Sequence, residues 1–123
     1  MPLKIKRIYE KPEETDGERY LVDRLWPRGI SQEAAQLAGW LKDLAPSSDL
    51  RQWFAHDPER WPEFHARYTA ELQAPEKAAL MQKLAEQARQ GIVTLVYAAR
   101  DEARNNAVVL KNLLEQYLQA DQT

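Results

Sequence analysis

Residues 92–97, Ile-Val-Thr-Leu-Val-Tyr, constrain this chain more than any other stretch. The run is almost continuously apolar and β-branched, the pattern of a central strand covered on both faces. Such a strand needs neighbours, and two earlier segments qualify. Residues 3–9 (Leu-Lys-Ile-Lys-Arg-Ile-Tyr) alternate well enough for one strand. Residues 19–25 (Arg-Tyr-Leu-Val-Asp-Arg-Leu) form another, closed by Pro27 and Gly29. A crossover of about 65 mostly helical residues between the second and last strands is compatible with right-handed, parallel pairing.

Helical spacing fills the interval. Ser31 predicts a cap for a helix through about Leu44, with Leu37, Trp40, Leu41 and Leu44 recurring, stopped by Ala45-Pro46. Ser47 or Ser48 caps a short helix carrying Leu50, Trp53 and Phe54. Asp57 then caps a helix opened by Pro58, with Trp61, Phe64, Tyr68 and Leu72 as its buried stripe and Pro62 disturbing the first turn. Pro75 opens a further helix ended by Gly91, and Asn105 or Asn106 caps a last amphipathic one. The acidic loop at 10–18 reads as solvated and without chemistry. A chain of 123 residues buries one core. The expected fold is a single compact α/β domain over 1–123, with a small, mainly parallel sheet flanked by about five helices.

Composition removes several classes of function. Without cysteine there are no disulfides, thiolate metal sites or cysteine nucleophiles. No apolar run approaches the roughly 20 residues that span a bilayer, and the opening Met-Pro-Leu-Lys-Ile-Lys-Arg lacks a signal peptide's apolar core. A cytoplasmic protein with no membrane partner is expected. A net charge of -2 argues against charge-driven binding to nucleic acid, although a concentrated basic patch stays open. No Gly-x-Ser-x-Gly elbow, phosphate-cradling glycine loop or dinucleotide fingerprint is present. The cofactor and the oligomeric state are therefore left open.

In open α/β sheets, ligands bind outside the carboxyl ends of the strands. Asp23, Arg24 and Arg28 follow one strand, Arg100 and Asp101 follow the other, and Asn105 stands at the start of the last helix. Arginine forks beside a helix N-terminus suit phosphate or carboxylate. Arg7 and Tyr9 join if the first strand is parallel to the others. The competing reading is that Asp23 and Asp101 merely neutralise these arginines. Trp26 packs in the core or stacks on a planar ligand. His56 is the natural proton shuttle, with an unperturbed pKa of about 6.5; Asp57 reads better as a cap and His65 as packing. Two histidines on no ligand spacing argue against a dedicated metal site, while Mg²⁺ held by a carboxylate beside a phosphate stays open.

Longer motifs add a resemblance. Arg7-Ile8-Tyr9, Leu21-Val22-Asp23-Arg24-Leu25-Trp26-Pro27-Arg28-Gly29, Trp40-Leu41-Lys42-Asp43-Leu44-Ala45-Pro46-Ser47, Leu50-Arg51-Gln52-Trp53-Phe54 with His56-Asp57-Pro58, and Thr94 to Asp101 with Asn105 resemble the YeaO-like bacterial proteins. The likeness runs from about residue 3 to residue 114. It implies a small stand-alone domain of unknown function and carries over no reaction. It also brings Arg51 among the candidate site residues. The expected function is a pocket for a small anionic ligand. It serves either an enzyme on a phosphorylated or carboxylated, nucleotide-like substrate, with His56 or Asp23 moving the proton, or a non-catalytic binding module. Nucleic-acid binding is the weakest reading.

Overall fold

In the computed structural model, which describes residues 3–120, strands β1 (Leu3–Arg7), β2 (Glu18–Leu21), β3 (Gly39–Trp40) and β4 (Val93–Tyr97) form one sheet. The order is β1-β4-β2-β3 and every pairing is parallel. β4 lies between β1 and β2, with Val93 opposite both Leu3 and Glu18, and all five of its residues are buried. The apolar run of the sequence is therefore the central strand. Helices α1 (Gln32–Ala35), α2 (Ser48–Phe54), α3 (Trp61–Glu71), α4 (Pro75–Gln90) and α5 (Asn106–Ala120) complete the domain.

Side-chain alternation along the strands divides the interior in two. Val93, Leu95 and Tyr97, with Leu3 and Val22, face the main core, which Phe54, Phe64, Tyr68, Met81, Leu84 and Leu110 of the longer helices close. Val96, Leu21 and Ile8 face the other way, under Trp26, Ile30, Ala35 and Leu37. Helices thus cover one face, and a mostly irregular segment covers the other.

That segment departs from expectation. Ser31 does cap a helix, its Oγ accepting from the Ala34 N–H at 3.0 Å, but the helix is only four residues long. The chain turns at Gln36, in the left-handed region at φ 49, and becomes β3, with the Ala38 and Leu41 N–H groups donating to Arg19 and Leu21 carbonyls. Leu37 and Trp40 pack with the smaller cluster, whereas Leu41 and Leu44 join the main core. Their helical spacing arises because the segment wraps the sheet edge and serves both faces in turn. Elsewhere the punctuation is as expected. Ser47 caps α2, Asp57 caps a 3-10 turn over Pro58–Arg60 that leads into α3, and Gly91 ends α4, though in extended rather than left-handed backbone.

The acidic loop is not all solvated. Asp16 is buried, bonded to the buried Arg19 at 2.8 Å and to Lys6 at 3.1 Å. The neighbouring Gly17 has φ +63, and a Cβ there would stand 2.2 Å from the Ile92 carbonyl oxygen. Backbone cannot yield as a side chain can. Gly17→Ala is expected to cost about 2 kcal/mol, measured by urea unfolding; a loss below about 0.5 kcal/mol would contradict this contact.

Candidate functional site

Because all four strands are parallel, their carboxyl ends share one edge, and a cavity of about 610 Å³ lies there. Its walls come from the segment after β2 (Asp23 to Arg28), the start and end of α2 (Pro46, Arg51, Phe54, His56), Phe64 of α3, and the segment from Ala98 to Asn106. Asp23, Arg24, Trp26, Arg28, Arg51, His56, Arg100, Asp101 and Asn105 all line it. Arg7 and Tyr9 do not.

Asp23 is the hub of the floor. One carboxylate oxygen accepts from the Ala98 N–H at 2.9 Å and the other from the Asn106 amide at 3.0 Å. That amide also donates to the Val22 carbonyl at 2.8 Å, and the Trp40 indole N–H donates to the Asp23 carbonyl at 2.7 Å. The side chain therefore ties the end of β2 to the end of β4 and to α5. Burial pushes the carboxyl pKa above its ordinary 3.8, against the opposing pull of the Ala98 N–H, Asn106, His56 and Arg51. Ion pairing does not explain Asp23, since its partners are amides. Nor does it join Asp101 to Arg100: Asp101 pairs with Arg104 at 2.9 Å and accepts the Ala103 and Arg104 N–H groups. Those N–H bonds, Ala103 first, and Arg104 hold its carboxyl below the ordinary range.

The arginines separate into two groups. Arg19, Arg60, Arg67, Arg89 and Arg104 pair with carboxylates. Arg7 donates to the Ala99 and Ala98 carbonyls at 2.9 and 3.3 Å, and Arg24 to those of Pro46 and Ala45 at 2.9 and 3.4 Å. Among the described residues, the guanidinium groups of Arg28, Arg51 and Arg100 remain without a hydrogen bond or ion pair, and all three side chains line the cavity. Each has a tether behind it. The Tyr9 hydroxyl donates to the Arg28 carbonyl at 2.9 Å. Arg7 fixes the two residues before Arg100, and Arg24 fixes the approach to the α2 helix that carries Arg51. Arg7 and Tyr9 thus stand behind the wall rather than in it.

The remaining candidates have plain local roles as well. Asn105 is buried and caps α5, its side-chain oxygen accepting from the Val108 N–H at 3.1 Å. Trp26 donates to the Ile30 carbonyl at 2.6 Å and meets Trp40 edge-on, with ring centroids 5.3 Å apart. His56 is exposed and held at φ 58, directly after Ala55 at φ 47. Two successive left-handed residues without glycine are unusual and cost free energy. Here they turn the chain sharply out of α2 and leave His56 on the cavity wall.

Sequence reasoning missed Asn106 as a site residue. The signal was the Asn-Asn pair: one residue suffices to cap a helix, and the second was spare. Phe54 and Phe64, stacked with centroids 4.2 Å apart, were legible only as core. Among the described residues no cluster of three or more His, Asp or Glu side chains is grouped to hold a metal ion, and no helix is long and apolar enough to cross a membrane.

Fold and cavity together define a small, all-parallel α/β domain with a ligand-sized hollow at the carboxyl edge of its sheet. The chain belongs to the family described as the inactive DUF488-N3 subclade, which it matches over residues 2–123. It is 43% identical over 112 residues to an uncharacterized protein of Mycobacterium tuberculosis, covering 91% of this chain and 92% of the relative. It is 39% identical over 114 residues to the uncharacterized protein YeaO of Escherichia coli, covering 93% and 97%. No solved structure matches.

Proposed function

We propose that this chain is a non-catalytic module that captures a small organic anion, a phosphate or carboxylate, in the cavity at the sheet edge. The observation that carries this reading is that Arg28, Arg51 and Arg100 line one cavity with guanidinium groups that have no hydrogen bond or ion pair. Elsewhere the fold neutralises its guanidinium groups or caps them with carbonyls. Two features favour binding over turnover. Asp23, the buried carboxylate of the site, is committed on both oxygens to bracing the strand ends. The family description also carries the word inactive.

Calorimetric titration with pyrophosphate and with citrate at low ionic strength tests the reading. Arg51→Gln and Arg100→Gln are each expected to weaken binding about 10- to 100-fold, the worth of one charge-assisted contact, while unfolding as the wild type does. Equal response of all three proteins would refute the arginine site. Turnover of a phosphoester panel that disappears in His56→Gln would replace the binding module by an enzyme.

A further inference from the structure

We propose that the occupant of this cavity is a heteroaromatic phosphate of mononucleotide size. Its ring lies against the apolar wall with an N–H directed to Asp23, and its phosphate is held by Arg28, Arg51 and Arg100. This inference rests on the anion-binding reading above and narrows its ligand.

Size is the first argument. A cavity of about 610 Å³ falls in the range of about 300–1,000 Å³ that houses drug-sized ligands and cofactors. A bare phosphate would leave most of it empty. The second is the wall. Phe54, Phe64 and Trp26 line the cavity, and Leu25, 58% exposed, stands in it as one of the few large apolar side chains left in water. Arginine and aromatic surface in one cavity suit an anion joined to a flat ring, since guanidinium planes and ring faces both stack. An aliphatic acid would use the charge and waste the wall.

Asp23 supplies the third argument. An ionised carboxylate has about four acceptor positions, and the Ala98 N–H and the Asn106 amide occupy one on each oxygen. The residue lines the cavity and is only partly covered, so acceptor capacity remains on the open side. A second anion there would be repelled. A ring amine or imine N–H would be welcomed, because a partly desolvated carboxylate gains from each added donor. Positive charge and an acceptor in the same hollow thus select a ligand that is anionic at one end and an N–H donor at the other. Nucleobase phosphates have that pattern.

The test titrates the full chain with inorganic phosphate, ribose 5-phosphate, the four ribonucleosides and their 5′-monophosphates. The best monophosphate is expected to bind at least about tenfold more tightly than ribose 5-phosphate, one ring contact being worth about 1–3 kcal/mol. Arg51→Gln should weaken both to the same degree. Asp23→Asn should shrink the ratio between them. Because Asp23 also braces the fold, Leu25→Ala at the exposed rim provides an independent check and should shrink that ratio too. Ribose 5-phosphate binding as tightly as every nucleotide would overturn this inference and leave the anion-binding module standing. No binding by any phosphate would overturn this inference, and no binding of citrate besides would overturn both. A 5′-phosphorylated single-stranded oligonucleotide binding more tightly than all mononucleotides, with a steep salt dependence, would also overturn it in favour of a strand end.

Discussion

Asp16→Ala is expected to lower the unfolding free energy by about 3 kcal/mol, the low end of the cost of leaving a buried charge without its partner. Arg19 is 3% exposed, and its guanidinium holds only the Ala35 carbonyl at 3.0 Å besides Asp16, with one further nitrogen buried and unbonded. Removing Asp16 strands that charge. It also releases Lys6 and the Glu13 N–H, both bonded to the same carboxylate. In the double variant Asp16→Ala/Arg19→Met the stranded charge is gone, and part of the stability should return. Urea unfolding decides: a single-variant loss under 1 kcal/mol, or two strictly additive losses, would show that the pair is not coupled. The pH dependence has a definite sign. Burial alone would raise the Asp16 pKa, but the Glu13 N–H, Lys6 and Arg19 outweigh it and hold the group below 3.8. Its contribution is therefore complete above about pH 4 and lost as pH falls through the lowered value. Asp16→Ala should flatten that acid limb.

Nothing in the sequence announced this pair. Asp16 sits among Glu13, Glu14 and Glu18, and a local acidic run gives no sign of which member turns inward. The decision is tertiary: Gly17 lets the chain press against the Ile92 carbonyl, and that contact drives the preceding residue under the sheet, where the Thr94 hydroxyl meets the Asp16 carbonyl at 2.6 Å. β3 was illegible for another reason. Two residues cannot display a two-residue alternation, while Leu37, Trp40, Leu41 and Leu44 imitate a helix. β4 was legible, because burial on both faces leaves no charged position inside the run. Once β2 and β4 were read as parallel, the shared edge followed, and Arg28, Arg51 and Arg100 fall there together. What the sequence could not supply was the division of labour among like residues. Arg24 and Arg28 are four apart in one turn, yet one is spent on the Ala45 and Pro46 carbonyls and the other is not.

Asp23→Ala is expected to cost about 3 kcal/mol, because it takes the acceptor from two donors, the Ala98 N–H and the Asn106 amide, and leaving a buried donor unsatisfied costs about 1–3 kcal/mol. The Ala98 N–H at the head of the β4 loop loses its acceptor, and Asn106 keeps only the Val22 carbonyl. Asp23→Asn is not a neutral repair. Asn106 is oriented by its donation to Val22, so an asparagine at 23 can satisfy Ala98 with its oxygen only by setting its own amide nitrogen against that of Asn106. The pH signature is opposite to that of Asp16. Burial raises the folded pKa of Asp23 above 3.8, so the folded chain holds the proton more tightly than the unfolded chain does. That contribution is complete below about pH 4 and lost as pH rises through the raised value. The stability gap between the wild type and Asp23→Ala should therefore narrow from acid towards neutral pH, whereas the gap for Asp16→Ala should widen. Unfolding measured from pH 3 to pH 7 on both variants separates the two carboxylates. A gap for Asp23 that widens with pH would mean that its donors outweigh its burial. The cavity floor would then be a fully satisfied carboxylate, with nothing left to offer a ligand.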